Sequence, residues 1–465
     1  MSSEKETLSS GTVNLSPMMI QYNQIKEKYP NEVVFFRLGD FYEMFNKDAV
    51  DVSRLLNLTL THRAQQPMCG IPYHAAKIYI ARLLRLGKKI VICEQVGDPK
   101  AKGLTERKVV EIITPGTAVE SEYLEGNRAN FLAALSITKG KAGFAFIDVT
   151  TSRFEATSWS AGKMAENFSK ELGRAAPREL LLPQSLRTND VIQDALESFS
   201  DLSVSYYPDW DFNSDFSYKK LSSQFKTANL HGFGLNENSP EVAPAGFLLD
   251  YLEKTTNTHV PHISSIHIYH DEEFLMIDDS SRRNLEITEN LRDGSIQYSL
   301  LECLNHTKTA MGSRLLRNWL LFPLTDVCQI NNRLDRVRTF YENQILLDDV
   351  RERLSPVLDI ERLAGRIAMD RAHGKDLQAL KLSLMSWLSV REKLISFDFS
   401  FLENDSALKI INLISSSILD DPATSLTEGR IIREHWSEEL DKWREIRDNF
   451  NNILASYEEE EIEHS

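Results

Sequence analysis

Between Phe35 and Phe45 the chain reads FFRLGDFYEMF, an aromatic cluster interrupted by the turn pair Gly39-Asp40, with the carboxylate of Glu43 two positions after Phe41. An aromatic side chain on a projecting turn can stack on an unpaired base, and an acid beside it can hydrogen-bond a base edge when protonated or when it meets a donor. Placing a carboxylate against DNA costs free energy. The cost becomes selective if the acid helps only where pairing is already broken, because a mispaired step unstacks and kinks more cheaply than a sound one. The same residues also suit a plain packing role, with Phe41 and Phe45 in a core and Glu43 on the surface.

DNA binding needs Lys and Arg gathered on one surface, and the net charge of -15 runs against it. The charge is segregated, however. From Asp51 to Val110 eleven Lys/Arg stand against four Asp/Glu, a net +7, while acidic residues crowd the other end at Glu458, Glu459, Glu460, Glu461 and Glu463. A local DNA-facing surface is therefore permitted, although a solvated basic face would have the same composition. Cys69, Cys93, Cys303 and Cys328 lack C-x-x-C or Cys/His ligand spacing, so neither a zinc site nor a disulfide framework is expected. No metal site is expected elsewhere. No run of 18 or more apolar residues occurs and the first residues are polar, so neither membrane insertion nor secretion is expected, and the cytoplasm is the expected location.

These residues need a scaffold, and 465 residues exceed one hydrophobic core, which favours about three domains. The spacing predicts a helix over 18–30 ending at Pro30, a buried strand VVFFRL, and a helix after Pro72 with Ala76, Ile80, Leu83, Leu84 and Gly87 along one stripe. KKIVICEQV and VVEIIT read as further strands, giving a small α/β domain. From Asn130, FLAALSI, AGFAFIDV and RFEATSW read as consecutive strands of a second α/β domain; SYYPDWDFNSDFSYKK then suggests a loop or linker, and PAGFLLDYLEKT a helix. Beyond Asp271 helical patterns dominate, including SLLECLNHTKTAMGSRLLRNWLLF up to Pro323, DLQALKLSLMSWLSVREKLI, and a long amphipathic helix from Ser437 with Leu440, Trp443, Phe450 and Leu454 on its apolar side.

The segment around Phe41 closely resembles the mismatch-recognition motif of the MutS family of DNA mismatch repair proteins. The resemblance continues through Thr61-His62-Arg63, Pro67 to Ala75, Ile92 to Pro99, Arg107 to Val110 and Ile113 to Thr117, then through Asp279 to Glu286, Thr309 to Leu316, and Trp319 to Leu324. It implies a multidomain α/β plus α fold: a mixed α/β mismatch-binding domain over 1–123, a ribonuclease-H-like α/β connector over 124–265, an elongated helical core or lever over 266–428, and the beginning of a clamp, cut short, over 429–465. By motif position, Phe41 resembles the wedge that stacks on a mispaired or unpaired base and Glu43 the acid that contacts it. Arg63, Lys77, Arg107 and Lys108 are candidate backbone-phosphate contacts, from the basic window and their family-like surroundings.

The partners implied are double-stranded DNA with mismatches or small loops, MutL, and a second copy of the chain, with dimerisation weakened here. ATP and Mg are the intact family's cofactors. No G-x-x-x-x-G-K-[ST] occurs, so no cofactor and no ATP hydrolysis are expected of these residues. Two other readings compete: a partner-binding fragment that does not recognise mismatches productively, and a metal-dependent nuclease of ribonuclease-H-like fold, for which Asp148 after a strand is a single acid where a cluster is required.

Overall fold

The computed structural model describes residues 16–463 apart from residue 64, 97–105, 200, 271–272, 276, 396, 398 and 400–404. The chain divides into two compact units, the first ending at Ser295 and the second starting at Ile296.

The first unit begins with α1 (Pro17–Lys28), β1 (Val33–Leu38), β2 (Phe41–Phe45), α2 (Asn46–Leu56), β3 (Thr61–Arg63), β4 (Gln66–Pro72), α3 (Ala76–Arg85), β5 (Ile90–Val96) and β6 (Glu106–Ile113). The strands form one sheet in the order β3-β4-β2-β1-β5-β6. Its centre is β1, whose continuous apolar run is what a strand buried on both faces requires. Val33 and Phe35 join Met44, Val52, Ile80 and Leu83 beneath α2 and α3. Val34 and Phe36 join Met19, Tyr22 and Phe45 beneath α1. Helix α3 stops where Gly87 takes φ +69°, the Lys88 and Gly87 amides donating to the Leu83 and Leu84 carbonyls, a glycine-terminated helix end. At the other helix no linker intervenes: Phe45 ends β2, and Asn46, at φ +53°, begins α2.

The second sheet contains β7 (Leu132–Thr138), β8 (Lys141–Asp148) and β9 (Arg153–Ser160), followed by α4 (Met164–Ala175), β10 (Glu179–Pro183), α5 (Asp190–Glu197), β11 (Ser203–Tyr207), α6 (Ser214–Gln224), α7 (Val242–Thr256) and β12 (His267–Ile268). Its order is β11-β10-β7-β8-β9-β12. The first three strands make an antiparallel meander, and β10 and β11 add in parallel beside β7, the ribonuclease-H-like arrangement expected. The stretch expected as a linker is instead structured: it spans the end of β11 and the start of α6, which Asn213 caps by accepting the Phe216 amide at 2.9 Å. Its strand is half-buried along its length, and the stretch takes in only its last three residues, which cuts off the alternation Ser203-Val204-Ser205-Tyr206. Strand β12 and the fully buried Tyr269 lie beyond residue 265 yet belong to this sheet and its core.

Close contact holds α7 to the sheet. A Cβ at Gly143 of β8 would fall 1.9 Å from the Pro240 carbonyl oxygen, just before α7. Gly143→Ala is therefore expected to destabilise the first unit by about 1–3 kcal/mol, since backbone must move to admit the methyl. Thermal unfolding checks this, and an unchanged midpoint would show that the segment yields freely.

The two sheets of the first unit meet at a buried carboxylate. Glu179 of β10 has no exposed surface, and its side chain lies 2.6 Å from Lys89 Nζ, on the residue before β5. Its Oε1 accepts the Tyr251 hydroxyl at 2.8 Å, and its Oε2 accepts the Gly116 amide at 3.0 Å and the Thr114 hydroxyl. Burial pulls the Lys89 ammonium down, but Glu179 outweighs it and leaves the group above its ordinary value. Gly116 has no room for a side chain, since a Cβ there would sit 2.9 Å from Leu132 and 3.0 Å from Glu179.

The second unit is helical. Its helices are Leu300–Leu304, Ala310–Leu321, Val327–Glu342, Gln344–Leu354, Ile360–Ala368, Gly374–Ile395, Asp405–Ser417, Glu438–Asp448 and Phe450–Glu463. The pattern expected to run unbroken from Ser299 to Phe322 is two helices, because Thr309 caps the second by accepting the Gly312 amide at 3.1 Å. The last pattern likewise divides at Asn449. Arg314 fastens two of these helices with bonds of 2.5 and 2.8 Å to Asp359 and 2.6 Å to Glu361.

Candidate nucleic-acid interface

Alternation along a strand sends Phe41, Glu43 and Phe45 to one face of the first sheet and Tyr42 and Met44 to the other. Register extends that face across the sheet: Leu38 and Phe36 pair with Phe41 and Glu43, and Pro72, Gly70 and Met68 of β4 lie opposite Phe41, Glu43 and Phe45. Helix α1 covers the part around Val34, Phe36 and Phe45, where Tyr22 meets both phenylalanine rings edge-to-face. Toward the hairpin tip the cover ends. Phe41 follows the two-residue turn Gly39-Asp40 immediately and is 47% exposed. Gly39 takes φ +56°, which glycine adopts at no steric cost.

Of the four basic candidates, two share this face. Arg63 at the end of β3 donates from Nη1 to Glu43 Oε2 at 2.8 Å, half-exposed beside a mostly buried acid. Arg107 of β6 donates from Nε to the Arg37 carbonyl at 2.7 Å and lies over the Phe36 ring, 5.1 Å from its centroid. Burial lowers the Arg107 guanidinium from its ordinary value, against the opposing pull of Glu43. The other two lie elsewhere. Lys108 pairs in register with Glu94, on the opposite face, and its exposed ammonium is 3.5 Å from Glu106. Lys77 on α3 is bound to Glu120 at 2.7 Å and Glu122 at 3.1 Å, which outweigh burial and raise it above its ordinary value. Lys100 and Lys102 of the basic window fall outside the described residues.

Sequence reasoning left two contributors without a role. Thr61, which is exposed, and Gln66, which is half-buried, sit on the Phe41 side of the outer hairpin, paired with Met68 and Arg63. Arg37 and Tyr73 stand inside the quoted motifs, yet their tie to the hairpin turn appears only in three dimensions.

The face brings together a protruding aromatic edge, an acid held by one arginine, and a second arginine alongside. Asp148, the acid considered for metal chemistry, uses its oxygens on the Asn130 amide at 2.9 Å and on the Thr150 amide and hydroxyl at 2.9 and 2.6 Å. Among the described residues no group of three or more His, Cys, Asp or Glu could hold a metal ion. Burial pushes the Cys69 thiol up to about 11 and the Cys93 thiol up to about 12, while Cys303 and Cys328 are exposed. No helix among the described residues is long and apolar enough to cross a membrane.

Residues 16–122 match the family model described as MutS domain I, residues 130–264 that of MutS domain II, and residues 280–460 that of MutS domain III. The DNA mismatch repair protein MutS of Treponema denticola is 50% identical over 462 residues, covering 96% of this chain and 52% of that protein. The protein of the same name from Treponema pallidum is 42% identical over 455 residues, covering 96% and 51%. That of Methanosarcina barkeri is 36% identical over 481 residues, covering 98% and 53%. The chain spans about half the length of these curated relatives. Three successive domain matches, in the order of the two sheets and the helices that follow, place this chain in the MutS family.

Proposed function

We propose that the uncovered tip of the first sheet reads mispaired or unpaired bases in double-stranded DNA, as a step of mismatch repair. Phe41 stacks on the flawed base as a wedge, Glu43 meets that base's edge, and Arg63 and Arg107 steady the neighbouring backbone. The observation that carries this reading is a half-exposed phenylalanine at the tip of a two-residue hairpin, with a carboxylate on the same face one strand repeat away. The ring lies outside both buried cores of this sheet. Arg63 holds Glu43 in the free protein, so a duplex that attracts Arg63 to phosphate also releases the acid.

The reading is tested by titrating the chain with a duplex bearing one unpaired thymine and with its matched counterpart at two salt concentrations. The flawed duplex is expected to bind about tenfold more tightly, from the stacking of one base, and both complexes to weaken as salt rises. Equal affinity for the two duplexes at both salt concentrations would overturn it.

A further inference from the structure

The turn that presents Phe41 is braced from the face of the sheet opposite the ring. Arg37 of β1 pairs with Tyr42 and so points away from Phe41. Its Nε donates to the Gly39 carbonyl at 2.6 Å. Its guanidinium lies over the Tyr73 ring, 3.7 Å from the centroid, and 5.5 Å from that of Tyr42. Its Nη1 is 3.8 Å from Glu94, a carboxylate that also accepts the Tyr42 hydroxyl. The other turn carbonyl is held as well, since Asp40 accepts the Tyr73 amide at 2.9 Å. Gly39 itself offers no brace, because the space where a Cβ would lie is empty.

We propose that Arg37, stacked on Tyr73, is a positioning residue that fixes the Gly39-Asp40 turn and thereby sets how Phe41 projects, without itself touching DNA. The function of this brace rests on the reading of Phe41 as the wedge. A side chain that leaves one rotatable turn between two strands free to rock would let the ring fold back against the sheet, and each insertion would then have to restore its position. Arginine is the residue that can do this, since one planar group stacks on a ring, donates to a carbonyl and faces a carboxylate at once. Lysine keeps the charge near Glu94 but has no plane to stack on Tyr73, and its single nitrogen cannot stand at the Gly39 carbonyl and over the ring at once.

The full chain is compared as wild type, Arg37→Gln, Arg37→Lys, Tyr73→Leu, Tyr73→Phe and Phe41→Ala, and as Arg37→Gln combined with Phe41→Ala. Hydrogen exchange at the Tyr73 amide reports on the turn, and affinities for matched and thymine-looped duplexes report on reading. Arg37→Gln and Tyr73→Leu are expected to speed exchange at Tyr73 and to reduce the preference for the looped duplex about fivefold, the scale of one ordinary hydrogen bond. Tyr73→Phe should behave as wild type and Arg37→Lys should recover little. Affinity for the matched duplex and its salt dependence should be unchanged, and Arg37→Gln should add nothing once Phe41 is alanine.

Unchanged exchange at Tyr73 in both Arg37→Gln and Tyr73→Leu overturns the brace. So does retained preference in those variants when Phe41→Ala has lost it. A weakening shared by both duplexes, with a shallower salt dependence, overturns it by showing a direct phosphate contact. If Phe41→Ala leaves the wild-type preference intact, the wedge reading itself fails, and Tyr73 exchange alone then decides whether Arg37 holds the turn.

Discussion

Glu179→Gln is expected to destabilise the first unit by about 3–5 kcal/mol. The carboxylate is fully buried and all four of its partners are fixed, two on each oxygen. The amide that replaces it has one acceptor oxygen and presents an NH2 either to the Gly116 amide or to the Lys89 ammonium, where a donor meets a donor. Lys89 meanwhile stays in its buried place beside Tyr207 and Tyr251 with its counter-charge gone. For a unit of this size the loss corresponds to a thermal midpoint lower by about 6 °C or more. Replacing both partners, Lys89→Met with Glu179→Gln, should recover the part of the loss that comes from leaving one charge alone, while one oxygen still accepts from the remaining donors. Calorimetry of the single and double variants decides: a single variant within about 1 kcal/mol of wild type would mean that water reaches Lys89 and that the pair does not hold the two sheets together.

The second large effect falls on binding. Phe41→Ala is expected to abolish the preference for a thymine-looped duplex, a loss of about 1–3 kcal/mol of stacking and hence roughly tenfold or more in relative affinity. Folding should be untouched, since the ring is half in solvent and lies outside both cores of the first sheet. Phe41→Tyr should keep most of the preference, because the stacking face survives the added hydroxyl. Binding competition between the two duplexes, with the thermal midpoint measured alongside, checks both statements. A preference that survives in Phe41→Ala would assign recognition to some other part of the surface.

The first sheet was legible because its residues speak with local signals: VVFF is a continuous apolar run, Gly39-Asp40 is a turn pair, and the stripe on α3 ends at a glycine with left-handed backbone. The stretch from Ser205 to Lys220 was misjudged because it begins inside β11, past Ser203 and Val204, and so lacks most of the alternation that marks that strand. The break before Ala310 depends on a threonine hydroxyl turning to cap a helix, which competes with a helical pattern that otherwise runs on. For the interface, residue types and spacing singled out Phe41 and Glu43, but which arginines stand beside them depends on strand register. Arg63 reaches Glu43 because β3 and β4 lie outside β2, and Lys108 is carried to the far face by a single position of alternation. The ion pairs of Lys77 join a helix to a segment some forty residues later, which no local pattern encodes.

The direct passage of β2 into α2 at Phe45 and Asn46 has a mechanical consequence. A ring pushed between stacked bases feels a recoil of equal size along its own strand. On a loop, that load would be absorbed by torsions of the protein and the bases would stay closed. Here the strand is bonded on both sides and abuts a helix seated on the core, so Phe41 is mounted on a stiff shaft with a broad footing. With Phe41 as the proposed wedge, the compliant member of the pair would be the DNA, and the softest step along it, a flawed one, would give way first.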